Sequence, residues 1–220
     1  MIFRDFVIGA EISMSVVHRD FHDYNGYLYG ICQQGTSTLQ ISDLSYLPDS
    51  VHVVYDSDSL FRIAHNIFID TAVARLYVCG PAGKAMSIYS LANPEQPELL
   101  LDFTGVNYVH DAFVRNDTAF LNCGDDGLYV YDFSDISTPR MLGFLQFYPD
   151  KGYNHAGWLS PDGNTYIFAD ETAGKAMKIC DVSDLTDINV LGTFIAEEPN
   201  VSSGHLPHNL MYKDGYAFVS

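Results

Sequence analysis

Short runs of alternating apolar and polar residues recur along this chain at a nearly constant interval. One run reads Leu39-Gln40-Ile41-Ser42-Asp43-Leu44. It returns as Met86-Ser87-Ile88-Tyr89-Ser90-Leu91, Leu128-Tyr129-Val130-Tyr131-Asp132-Phe133 and Met177-Lys178-Ile179-Cys180-Asp181-Val182. The central aliphatics are 47, 42 and 49 positions apart. A period of 2 predicts a half-buried strand. Each run closes on a turn: Ser45-Tyr46-Leu47-Pro48, Ala92-Asn93-Pro94, Ser134 to Pro139, and Ser183-Asp184-Leu185-Thr186. Asp and Ser set such turns by side-chain bonds to the backbone, and Pro by its fixed φ. A further apolar run follows each turn, at 51–54, 99–101, 141–144 and 190–194.

A second phrase lies between these runs and starts with histidine. It reads His65-Asn66-Ile67-Phe68-Ile69, His110-Asp111-Ala112-Phe113-Val114, His155-Ala156-Gly157-Trp158-Leu159 and His208-Asn209-Leu210-Met211-Tyr212. The histidines are 45, 45 and 53 positions apart. An earlier copy departs from the pattern. Asn25-Gly26-Tyr27-Leu28-Tyr29 matches Asp214-Gly215-Tyr216-Ala217-Phe218, so Arg19 takes the histidine slot, Asp20 the slot of Asn66, and His18 stands one residue early.

Each unit thus holds about four short strands in 42–49 residues. That length and strand count predict an all-β chain, a β-propeller of four-stranded blades. The blades are expected at about 18–58, 63–104, 108–148 and 153–197 of a single domain, with the histidine phrase innermost. Residues 206–220 with 1–17 make a split or truncated fifth, in which 2–6 resembles a third strand and 14–17 a fourth. Either the termini share a blade and close a five-bladed ring, or the chain is a fragment of a longer propeller. The stop inside a strand favours the fragment.

Composition agrees with strands. The chain has 220 residues, 47% of them hydrophobic, with 15 Tyr and 14 Phe, which suit strands better than helices. A net charge of −17 argues against nucleic acid, which is held by clustered Lys and Arg. It is compatible with a bound cation and with a soluble monomer. No run approaches the roughly 18 apolar residues of a membrane span, and the first residues lack the pattern of a signal peptide. Cys32, Cys79, Cys123 and Cys180 have no metal-ligand spacing and are expected as buried free thiols rather than disulfides.

The third-strand run followed by Ser-Asp-Ile/Leu-x-x-Pro resembles the LVIVD repeat. The ladder of histidine phrases resembles the choice-of-anchor B family of bacterial surface and secreted proteins. The nearest matches are 155–162 with Ala169-Asp170-Glu171, and Val109-His110-Asp111-Ala112. Arg19-Asp20 resembles the family's W-R-D opening, with His18 where Trp would stand. The resemblance runs from Arg19 to Ser220. Ala156 departs from it where Gln is usual, and Asn93-Pro94 where Ser-Asp is usual. It implies a propeller exported by its bacterium, so extracellular, periplasmic or at the cell surface, and no settled activity.

The repeat heads are the leading candidate site. As innermost strand starts, Arg19, Asp20, His65, Asn66, His110, Asp111, His155, His208 and Asn209 would gather at one channel mouth. There they can take a small molecule, glycan or protein. Histidines 65, 110, 155 and 208 with Asp111, Asp170 and Glu171 can alternatively hold a divalent cation. A third reading is structural, with each head bonded to the backbone of the neighbouring blade. Asp170 and Glu171 stand where other repeats carry Gly80, Gly124 or Gln33. His205 can supplement the ring or sit in a loop. Gly35, Gly83, Gly127 and Gly174, each ahead of a third strand, read as turn residues. No nucleophile elbow, HExxH or Walker A sequence occurs. A non-catalytic binding module is therefore expected. The rival is a lactonase-like metal hydrolase with Asp111 or Asp20 as ligand or base.

Overall fold

The structure is a computed structural model that describes residues 5–12, 16–195 and 206–220. It is all-β, and the described residues contain no helix that could cross a membrane. Among the described residues, four sheets have four strands each. The first runs β1 (Arg19–Tyr24), β2 (Tyr27–Cys32), β3 (Leu39–Asp43) and β4 (His52–Ser57). The second is β5 (Asn66–Asp70), β6 (Arg75–Cys79), β7 (Met86–Ser90) and β8 (Glu98–Phe103). The third is β9 (Asp111–Arg115), β10 (Thr118–Asn122), β11 (Leu128–Asp132) and β12 (Arg140–Leu145). The fourth is β13 (Asn154–Leu159), β14 (Thr165–Asp170), β15 (Met177–Asp181) and β16 (Asn189–Phe194). A pair, β17 (Leu210–Lys213) and β18 (Tyr216–Val219), follows. All pairings are antiparallel between chain neighbours, the meander of a propeller blade. The strands expected at 2–6 and 14–17 lie partly, and His205 wholly, outside the described residues.

The repetition extends to backbone detail. The third and fourth strands slip register at one place in every complete blade: Ile41/Ser42, Ile88/Tyr89, Val130/Tyr131 and Ile179/Cys180. Such a bulge bends and twists the outer strand. Gly35, Gly83, Gly127 and Gly174 all have positive φ, as turn glycines do. The hairpins Asn25-Gly26, Asn116-Asp117 and Asp214-Gly215 have positive φ at both residues, which matches the twist of the strands they join.

The chain forms two compact units, Met1–Tyr108 and Val109–Ser220. In the first, the outward alternation of blade one meets that of blade two in a core containing Tyr29, Ile41, Ile67, Leu76 and Tyr89. Tyr29 Oη donates to Pro94 O at 2.8 Å across these blades. In the second unit Phe120 stacks on Tyr166 with centroids 4.6 Å apart, and Arg115 donates to the carbonyls of Leu159, Ser160 and Pro161. There Ile167, Ala169 and Met177 pack with Leu210 of β17. The four cysteines are buried free thiols, and burial pushes Cys180 up to about 12.

Gly80 and Gly124 serve the joint between one blade and the start of the next. A Cβ on Gly80 would lie 2.7 Å from the Tyr108 ring, and one on Gly124 2.5 Å from the Tyr153 ring. Both have positive φ, +57° and +59°. Each tyrosine stands two residues before a repeat histidine, so the glycine admits the aromatic that leads the next inner strand.

Candidate functional site at the repeat heads

The heads stack as a ladder of imidazoles within each unit. In the first, His18 stacks on His65 with centroids 4.2 Å apart, and His18 Nε2 donates to His65 O. Arg19 occupies the histidine slot by strand register, yet the ring on His65 comes from the residue before it. Arg19 instead bonds Glu11 O and lines a cavity of about 500 Å³ with Phe6, Ile8, Phe21 and Leu28. Asp20 Oδ2 accepts from Ile67 N of the next blade at 2.9 Å. Burial raises its pKa. Asn66 is half-buried at the start of β5.

In the second unit the centroids of His110 and His155, and of His155 and His208, are again 4.2 Å apart. His110 Nδ1 lies 3.3 Å from His155 O. A carbonyl only accepts, so that nitrogen carries the proton and Nε2 keeps its lone pair in the neutral ring. His110 and His155 are buried, His208 is half-buried and Asn209 is exposed. The heads therefore do tie blade to blade, through Asp20, His18 and His110, as the structural reading expected.

Glu171 adds a carboxylate to the end of this ladder. Its Oε2 lies 3.5 Å from His155 Nε2 and its Oε1 3.7 Å from His208 Nε2. One ligand atom of each of the three falls within 4.8 Å of the others. The backbone aims this side chain. Glu171 N donates to Tyr153 O at 2.8 Å, and Thr172 Oγ1 accepts from Tyr153 N at 3.0 Å. Gly152 N donates to Asp170 Oδ2 at 2.8 Å, and a Cβ on Gly152 would meet Thr172 Oγ1 at 2.8 Å. Glu171 is thus held between two residues fastened to the segment leading into β13.

Asp170 does not join this cluster, which corrects the expected ligand set. Side chains of adjacent extended residues point to opposite faces. Asp170 turns into the blade, where its Oδ2 pairs with Lys178 Nζ at 2.8 Å, both fully buried. Tyr148 Oη donates to Asp170 Oδ1 at 2.8 Å, and burial raises the Tyr148 pKa. Lys178 also donates to Asp150 O and Ala176 O. Asp111, half-buried at the start of β9, is not among the second-unit groups that converge on Glu171. Asp170 and Lys178 are the pair that the sequence did not connect, because Lys178 alternates like an outward polar residue.

No family model matches the chain, and no curated protein matches it. Solved structures do. A protein from Lactobacillus plantarum superposes with a TM-score of 0.71 at 13% identity, over 93% of this chain and 63% of that one. A chain of a nidogen/laminin complex gives 0.62 at 9%, over 93% and 71%. A luciferin-regenerating enzyme gives 0.60 at 9%, over 90% and 68%. These likenesses concern the fold alone, and that fold is the β-propeller.

Proposed function

We propose that the protein is a binding module that takes its ligand on the repeat-head side, at His110, His155, His208 and Glu171 of the second unit. The observation that carries this is the pairing of a partly exposed carboxylate with the imidazoles of two successive blades. The second and third repeats close the corresponding joint with a glycine under an aromatic ring. The fourth leaves polar groups open there, with Glu171 about a third exposed in its side chain and His208 slightly more so. Export from a bacterium, and membership among LVIVD-repeat propellers of the choice-of-anchor B type, are part of this proposal and rest on the sequence phrases. The small-molecule, glycan or protein character of the ligand stays with it.

The test is thermal melting of EDTA-treated protein against a panel of glycans, small anions and metabolites. A ligand present at about 100 times its Kd adds roughly 2.7 kcal/mol, a shift of about 5–10 °C for a chain of this size. The shift is expected to vanish in a His110→Ala/His155→Ala double variant and to persist in His52→Ala, whose histidine is exposed elsewhere. Stabilisers that act equally on the double variant would move the site off the heads.

A metal-dependent hydrolase is the second reading, favoured by the same two-imidazole, one-carboxylate set. Turnover of lactone or ester substrates that depends on Glu171 and an added divalent ion would support it. Of its two expected bases, Asp20 already accepts a backbone N–H.

A further inference from the structure

We infer that His155, His208 and Glu171 form a binding site for one divalent transition ion of the zinc type. This deepens the binding reading and rests on it. The donor set is two imidazole nitrogens and one carboxylate oxygen. That mixture suits Zn²⁺, Co²⁺ or Ni²⁺ and is poor for Ca²⁺ or Mg²⁺, which take oxygens.

Distance decides in favour of the site. Zinc bonds of about 2.0–2.2 Å in a tetrahedron put ligand atoms roughly 3.3–3.5 Å apart. The two carboxylate–imidazole distances are 3.5 and 3.7 Å. These distances run to different oxygens of Glu171, and one ligand atom of each of the three residues falls within 4.8 Å of the others, so side-chain adjustment of up to about an ångström would close the shell.

One ligand is buried, and the backbone on either side of another is fixed. His155 is 2% exposed and its carbonyl is held by His110. Glu171 is held through its own N–H by Tyr153 O, and its two neighbours, Asp170 and Thr172, are bonded to Gly152 N and Tyr153 N. These bonds hold the backbone from which the His155 and Glu171 side chains start. His208 and Glu171 are partly open, which leaves the fourth position to water or to the module's own ligand. Three protein ligands and one open position is the pattern of exchangeable and catalytic sites, not of closed structural ones.

The experiment is calorimetric titration of the EDTA-treated chain with ZnCl₂, and the visible spectrum with CoCl₂. One ion per chain is expected, with the intense d–d bands of a four-coordinate Co²⁺ site. Glu171→Gln and His208→Ala are each expected to weaken binding by about 10-fold or more, while His52→Ala is unchanged. Circular dichroism and urea midpoints show whether each variant is folded. His155 is buried, so the partly exposed Glu171 and His208 carry the decision. No saturable ion, or an affinity equal in wild type and both variants, overturns the site. If the ion fails but a glycan or anion still binds the EDTA-treated protein through His110 and His155, the cation falls and the binding reading stands. If the ion binds and no other ligand depends on the heads, the reverse holds.

Discussion

Lys178 shows how one residue can be misread by its neighbours. Its strand alternates cleanly, and its slot is filled by Gln40, Ser87 and Tyr129 in the other blades. Yet its ammonium is fully buried on Asp170 and on two carbonyls. A buried ion pair is weak evidence of net stability, but losing one member strands the other charge. Lys178→Met is therefore expected to lower stability by about 3–5 kcal/mol in urea unfolding. Adding Asp170→Asn should restore part of that loss, because it removes the stranded charge and its amide oxygen still accepts from Tyr148, although the bond from Gly152 N is given up. A loss under about 1 kcal/mol for Lys178→Met would mean that the pair is wet. The same residue explains the limit of the sequence reading at the site. Adjacent Asp170 and Glu171 invite treatment as one carboxylate pair. Alternation alone separates them, but which face holds the histidines depends on the bonds of Gly152 and Tyr153, which no local pattern encodes.

The elements were far more legible, because a repeat states the same rule several times. The turns after the third strands are the clearest case. Ser45 N donates to Asp43, Ser134 N to Asp132 and Ser183 N to Asp181, at 2.8–2.9 Å. Ser137 N and Thr186 N donate to Asp135 and Asp184 at 3.0 and 2.9 Å. Blade two makes the same turn without charge, through Ser90 and Asn93. Hydrogen bonds from Ser45, Ser134, Ser137, Ser183 and Thr186 lower the pKa of these five aspartates. The sign follows. A folded pKa below the unfolded value adds stability above the unfolded value, near 3.9, and loses it as pH falls through the folded one. Stability should therefore drop from pH about 5 to 3. Asp135→Asn/Asp184→Asn should flatten that slope while leaving the turn bonds in place, as Asn93 does. Urea midpoints across that range measure it, and an unchanged slope would assign acid sensitivity to other carboxylates. The bulge shared by the third and fourth strands was not legible. It needs only one extra residue against the partner strand, which leaves the apolar alternation nearly intact.

At the scale of the whole chain, charge sets a condition that no single blade reveals. The chain has 28 acidic and 11 basic residues. Among the exposed ion pairs, Lys84–Asp102, Arg140–Asp132 and Lys175–Asp150 are worth about 0–1 kcal/mol each, and salt weakens them. Opposing them is the mutual repulsion of the unmatched carboxylates. Two such charges about 10 Å apart in water repel by on the order of 0.4 kcal/mol, and a net charge of −17 holds many such neighbours. Repulsion is expected to exceed these exposed pairs, and screening should then stabilise the fold. The Debye length falls from about 30 Å at 0.01 M to below 8 Å above 0.15 M salt. The melting midpoint is expected to rise by a few degrees between these conditions, measured in NaCl with EDTA so that no divalent ion contributes. Tetramethylammonium chloride should act alike, since screening depends on ionic strength and not on the cation. A midpoint that falls with salt would show that local ion pairs outweigh the long-range field. A rise confined to one cation would instead mark a bound ion among the carboxylates.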